Sequence, residues 1–103
     1  MSFTLEDLNN TILARAEGNA DKSYTAQLLS KGVAHCAQKL GEEAVETAIA
    51  AVLEDKADMA AEASDLLYHL LVLLKASDVT LEDVMDELQK RTARSGLEEK
   101  ASR

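Results

Sequence analysis

The chain has no proline and no tryptophan, one cysteine, four glycines, and only one phenylalanine and two tyrosines among 103 residues. Each shortage excludes something. Without proline and with few glycines there is little to break a helix, and Ala, Leu, Glu and Lys are favoured helix formers, so the expected fold class is all-α. With so few aromatic residues, a core drawn from the 47% hydrophobic fraction is built from Leu, Ala, Val and Ile. The lone thiol, Cys36, can neither close an intrachain disulfide nor make a zinc site, and its expected place is that of a small buried residue. No apolar run approaches the roughly 20 residues needed to span a bilayer; the longest, Leu66 to Leu74, is interrupted by His69. The N-terminus carries neither a basic region nor an apolar stretch, so no signal peptide is expected and the expected location is cytoplasmic. Positive charge is also scarce. A net charge of −8 argues against holding nucleic acid by general electrostatics, although a bound metal would invert the local field and leave a nucleotide substrate open.

What is present reads as a succession of helices within one domain. Thr4-Leu5-Glu6-Asp7 is an N-cap with an acid three residues on, opening a helix expected to end near Glu17-Gly18-Asn19. Ser23-Tyr24-Thr25 caps a short helix to about Ser30, and Gly32 marks a break. A long helix follows, from Val33 to about Leu53. A helical wheel puts Val33, Leu40, Ala44, Ala48, Ile49 and Val52 on one broad side, with His35, Lys39, Glu42, Glu43 and Glu46 on the other. Glu54-Asp55-Lys56 reads as a turn. The next helix, about Ala57 to Ala76, is apolar almost all round in its second half and so needs cover on nearly every side. A chain this short is expected to find that cover in a second copy, as a homodimer or dimer-based oligomer. Thr80-Leu81-Glu82-Asp83 is a second capping box, opening a fifth helix to about Arg91. The polar tail, about 93–103, is expected to be mobile unless docked.

The negative charge is patterned. Glu42, Glu43 and Glu46 fall within one helix and Glu62 and Asp65 within the next, spaced so that each group shares a helix face. A single E-x-x-E carries little information, because surface helices are full of them and solvated acidic faces keep proteins soluble. Here the second pair opens a very apolar helix, where carboxylates are partly buried. Two carboxylates about 5 Å apart repel by roughly 3 kcal/mol at an effective dielectric of about 20, a heavy cost against a total stability of about 5–15 kcal/mol. Either they splay into solvent or a cation neutralises them. Oxygen-only donors favour Mg²⁺, or Mn²⁺, and the Glu-x-x-His pairs of helical di-iron sites are absent. His69, on the Glu62/Asp65 face, reads as a core or interface histidine or as a group orienting a carboxylate or water. His35 is expected at the surface. Lys39 reads as an ion-pair partner of Glu43 or as a phosphate contact. Lys31, Arg91, Arg94 and Lys100 are weaker phosphate candidates, each with a plain reading as surface charge.

Taken together, Ser23-Tyr24-Thr25, Leu28, Gly32, Lys39-x-Gly41-Glu42-Glu43-x-x-Glu46, Glu62-Ala63-x-Asp65-Leu66-Leu67-Tyr68-His69-Leu70-Leu71 and Ser95-Gly96-Leu97-Glu98-Glu99-Lys100 resemble the phosphoribosyl-ATP pyrophosphatase family over nearly the whole chain. That family is one of the all-α, MazG-like nucleotide pyrophosphohydrolases, marked by EExxE…ExxD. The resemblance implies Mg²⁺-dependent hydrolysis of phosphoribosyl-ATP to phosphoribosyl-AMP and pyrophosphate, the second step of histidine biosynthesis, in a form not fused to the next enzyme. It implies that Glu43, Glu46, Glu62 and Asp65 bind metal, and that Glu42 is a further ligand or a water-orienting base. No nucleophilic Ser or Cys arrangement is visible, so direct attack by water is the simpler chemistry. The carboxylates alone leave two other readings open: a housekeeping nucleoside triphosphate pyrophosphohydrolase of the same superfamily, and a non-catalytic helical dimerisation module.

Overall fold

A computed structural model describes residues 2–93 and 96–102. It contains six helices: α1 (Leu5–Ala16), α2 (Tyr24–Ser30), α3 (Val33–Val52), α4 (Lys56–Ala76), α5 (Leu81–Thr92) and α6 (Gly96–Ser102). No strand occurs among the described residues, and none of their helices is long and apolar enough to cross a membrane. The expected boundaries hold to within one or two residues because the capping residues set them. Thr4 and Thr80 each accept from the backbone N–H three residues on, and Asp7 and Asp83 accept in return from the cap's own N–H. Ser23 caps α2 by accepting from the Ala26 N–H. Gly32 separates α2 from α3 with φ +91°, a backbone that L side chains rarely adopt. At the expected turn, Asp55 caps α4 and Lys56 already begins it. Residues 96–102 form a further short helix, beyond the five expected.

The connection between α3 and α4 is so short that the two long helices form an antiparallel hairpin, the most extensive packing in the molecule. Ile12, Leu28, Cys36, Leu71 and Val72 form the core where α1 and α2 close over it. Each buried aliphatic side chain contributes about 1.5–3 kcal/mol. The buried Cys36 thiol donates to the Leu28 carbonyl at 3.4 Å, as expected of a small core residue.

The apolar second half of α4 is largely covered within the chain: His69, Leu71 and Val72 are buried, and its other residues from Leu66 to Leu74 are half-buried except Leu67. Contacts from α1, α2 and α3 supply that cover. The side of α3 turned to α4 is not the apolar one. It is Cys36, Leu40, Glu43, Thr47 and Ala50, a repeat of four and three residues that forms a packing seam. The opposite side leaves Val45, Ile49 and Val52 at 58%, 52% and 82% exposure. The wheel sorted residues by polarity, whereas packing selected a seam of small and mixed side chains. His35, expected at the surface, is half-buried.

α5 is amphipathic but little buried. Leu81 packs on the core, while Met85 and Leu88 are exposed. Between α1 and α5 lies an open groove of about 710 Å³, lined by Leu5, Leu13, Leu81 and Met85 with Glu6, Glu82 and Asp86 among its polar residues.

Candidate metal centre

The hairpin register decides which carboxylates meet. Glu43 lies on the α3 seam, and Glu62 and Asp65 lie one helical turn apart on α4. Each offers an oxygen, and the three oxygens lie within 4.8 Å of one another. Glu43 and Glu62 are half-buried and Asp65 is exposed, so the cluster opens to solvent on the Asp65 side. Glu46, one turn beyond Glu43, is exposed at the edge of the cluster, near enough to act on both Glu43 and Glu62.

One oxygen of Glu43 and one of Glu62 are buried and have no hydrogen-bond partner. Carboxylates only accept when ionised, so neighbouring carboxylates cannot satisfy each other without a proton or a cation between them. The electrostatics follow. Hydrogen bonding with Glu46, possible only while a proton is held, together with burial and the Glu46 charge, pushes Glu62 up to about 7. Burial, followed by the Glu46 charge, raises Glu43. Acceptors without donors in an oxygen-only cluster fit a divalent cation, which would satisfy both orphaned oxygens.

Next to the carboxylates stands an aromatic group. His69 is buried, edge-on to Tyr68 at 5.1 Å and to Tyr24 at 6.3 Å between ring centroids. Burial and Lys39 lower its pKa, and Asp65 and Glu42 act against them. The half-buried Lys39 and the exposed Glu42 therefore lie near His69. Lys39 makes no ion pair with Glu43 among the described residues, contrary to that expectation.

The other basic candidates are not gathered here. Lys31 caps the C-terminus of α2, and roughly 15 Å of helix separates the start of α3 from Glu43. Arg91 bonds Glu87 on its own helix at 3.1 Å, Lys100 lies exposed on α6, and Arg94 falls outside the described residues. Tyr24, Tyr68 and the cations Arg15 and Lys22 lay outside the expected site. They line a common pocket with Ser23 and Thr25. No periodicity signals this grouping, because it joins residues 15–25 to residue 68 through tertiary packing.

Comparison with known proteins places the chain among hydrolases acting on a phosphoanhydride. The model of the family described as Phosphoribosyl-ATP pyrophosphohydrolase matches residues 5–92. The chain belongs to this family. It is 61% identical over 101 residues to phosphoribosyl-ATP pyrophosphatase 1 of Bradyrhizobium diazoefficiens, covering 98% of this chain and 95% of that protein. It is 62% identical to phosphoribosyl-ATP pyrophosphatase of Nitrobacter winogradskyi, covering 98% and 87%, and 54% identical to that of Allorhizobium ampelinum, covering 99% and 98%.

Proposed function

We propose that the chain, read as one domain, hydrolyses phosphoribosyl-ATP between its α and β phosphates, yielding phosphoribosyl-AMP and pyrophosphate in the second step of histidine biosynthesis, in the cytoplasm. The observation that carries this reading is the meeting of Glu43, Glu62 and Asp65 across the α3–α4 seam, in a chain of this family. These three, with Glu46 at their edge, would hold Mg²⁺, which when bound supplies charge neutralisation for the polyphosphate. The remaining work falls to the chain. The α3–α4 seam holds the carboxylates on rigid helices, so a cation would be held by a fixed set of oxygens rather than by a loop. Glu42, exposed one residue before Glu43, is the candidate to orient the attacking water and take its proton. His69, buried one turn after Asp65, would position that carboxylate.

The assembly is proposed to be a homodimer. The support lies on α3, where the uncovered apolar stripe Val45, Ile49 and Val52 runs directly behind the seam that carries Glu43.

Turnover of phosphoribosyl-ATP beside ATP tests the function. The expected result is release of pyrophosphate and phosphoribosyl-AMP from the former, with a kcat/KM well above that for ATP. Equal or better turnover of ordinary triphosphates would support the housekeeping reading, and no turnover of either the dimerisation module. Glu43→Gln or Asp65→Asn is expected to lower kcat/KM by about 10²–10³, since metal-assisted charge stabilisation amounts to several kcal/mol and each ~1.4 kcal/mol is tenfold.

A further inference from the structure

The Ser23-Tyr24-Thr25 segment has no part in the carboxylate cluster, yet it walls a pocket of about 320 Å³ together with Arg15, Lys22 and Tyr68. The size is at the lower end of small-molecule sites, which run from roughly 300 to 1,000 Å³, and suits a sugar phosphate rather than a whole nucleotide. In a chain of net charge −8, the described lining holds two cations and no carboxylate. Neither Arg15 nor Lys22 is in an ion pair among the described residues.

The walls are fixed before any ligand arrives. The Ser23 hydroxyl donates to the Arg15 carbonyl at 3.0 Å and accepts from the Ala26 N–H at 3.2 Å, tying the α1–α2 connection in place. The hydroxyls of Thr25, which is buried, and Tyr68 share a hydrogen bond of 2.6 Å, joining α2 to α4. Burial raises the Tyr68 hydroxyl, while the Thr25 hydrogen bond and the Arg15 charge act against it. Tyr24 lies nearly parallel to Tyr68 at 6.3 Å between centroids and remains 53% exposed, leaving aromatic surface free.

Position adds the decisive element. Tyr68 follows Asp65 by three residues, so the two are neighbours along α4; six residues, about 9 Å of helix, separate Glu62 from Tyr68. One end of this strip is acidic and suited to a metal-bound polyphosphate, the middle is aromatic, and the other end is basic. Phosphoribosyl-ATP has a matching order: a triphosphate arm, a purine, and a second ribose ending in a phosphomonoester.

Building on the function proposed above, we propose that Arg15 and Lys22 bind the phosphomonoester of the phosphoribosyl arm, with Tyr24 stacking on the purine, and that this pocket distinguishes phosphoribosyl-ATP from ATP. The phosphomonoester accepts charge-assisted hydrogen bonds from the guanidinium and ammonium, and an exposed tyrosine face takes a purine without reading its edge.

Two measurements test it. Arg15→Gln and Lys22→Gln are each expected to lower kcat/KM for phosphoribosyl-ATP roughly ten- to hundredfold, mainly through KM, as befits loss of a charged hydrogen bond. Arg15→Lys should recover part of the loss. On 1-ribosyl-ATP, which lacks the phosphate, the gap between variant and unsubstituted enzyme should close to about twofold. An equal loss on both substrates would overturn the assignment, as would unchanged KM values in variants of unchanged melting temperature.

The second measurement needs no turnover: titration of the unsubstituted enzyme and of the Arg15→Gln variant with ribose 5-phosphate, and separately with inorganic phosphate, followed by NMR. Ribose 5-phosphate is expected to shift Tyr24 and Tyr68 signals in the unsubstituted enzyme and to bind at least tenfold more weakly to the variant. Inorganic phosphate binding equally well would reduce the pocket to a general anion site and sink the proposal. Should phosphoribosyl-ATP not be hydrolysed at all while ribose 5-phosphate still binds in this way, the function would fail and the sugar-phosphate pocket would stand.

Discussion

At the scale of single residues, the carboxylates conflict with one another. Glu62 is raised to about 7 by Glu46, burial and its other acidic neighbours. A carboxyl held above its usual value favours the folded state when protonated. Its stabilising effect is therefore full below the ordinary carboxylate value and is lost as pH rises through about 7. His69, with a lowered pKa, works in the opposite sense, and its contribution is lost as pH falls below the usual histidine value. The difference made by a cation isolates the carboxylates from the histidine. In calorimetry of chelator-treated protein, millimolar Mg²⁺ is expected to raise Tm more at about pH 8 than near pH 5, where Glu62 holds its proton. The Glu62→Gln variant should lose most of that increment and should itself melt higher than the parent in chelator at about pH 8. An increment that does not change with pH would remove Glu62 from the cation site.

At the scale of elements, capping and glycine conformation set where helices begin, and the register of one hairpin sets the site. Gly32 illustrates the first. A Cβ there would meet nothing within 4 Å, so the obstacle to substitution is its φ of +91° alone. Gly32→Ala is expected to cost about 1–3 kcal/mol from backbone strain, seen as a lower denaturation midpoint with an unchanged slope. No cost would mean that the α2–α3 junction can re-form with an ordinary φ. The hairpin illustrates the second. The sequence placed Glu43 and Glu46 on one helix face, but could not say that Glu43 belongs to the packing seam, because the seam Cys36, Leu40, Glu43, Thr47, Ala50 is no more apolar than its surroundings. The capping boxes were legible because they act within four residues of chain.

At the scale of the whole molecule, the question is what covers α3. Within one chain, α1, α2 and α3 largely cover the apolar half of α4. On α3, Val45, Ile49 and Val52 leave one side open. Light scattering at micromolar concentration is expected to give twice the 11.1 kDa chain mass, and Ile49→Glu to shift the mass to that of one chain, since a buried unpaired charge costs several kcal/mol. A parent that is already a monomer would sink the dimer. An Ile49→Glu variant that stays dimeric would move the interface elsewhere, the exposed side of α5 being the next surface to test.

By itself the sequence determined the helical class, the boundaries of the first five helices, the burial of Cys36 and the five acidic positions, and its motifs carried the resemblance to the family. These depend on propensity, capping and spacing, all short-range. The tertiary structure decided which carboxylates meet, leaving Glu43, Glu62 and Asp65 together with Glu46 at the edge and Glu42 toward His69. It also decided which side of α3 faces out, and that Arg15, Lys22 and Tyr24 share a pocket with Tyr68. The physical reason is common to all three. Each depends on how one helix is rotated against another, which is set by the sum of many packing contacts across distant segments, and no local pattern in the chain encodes that sum.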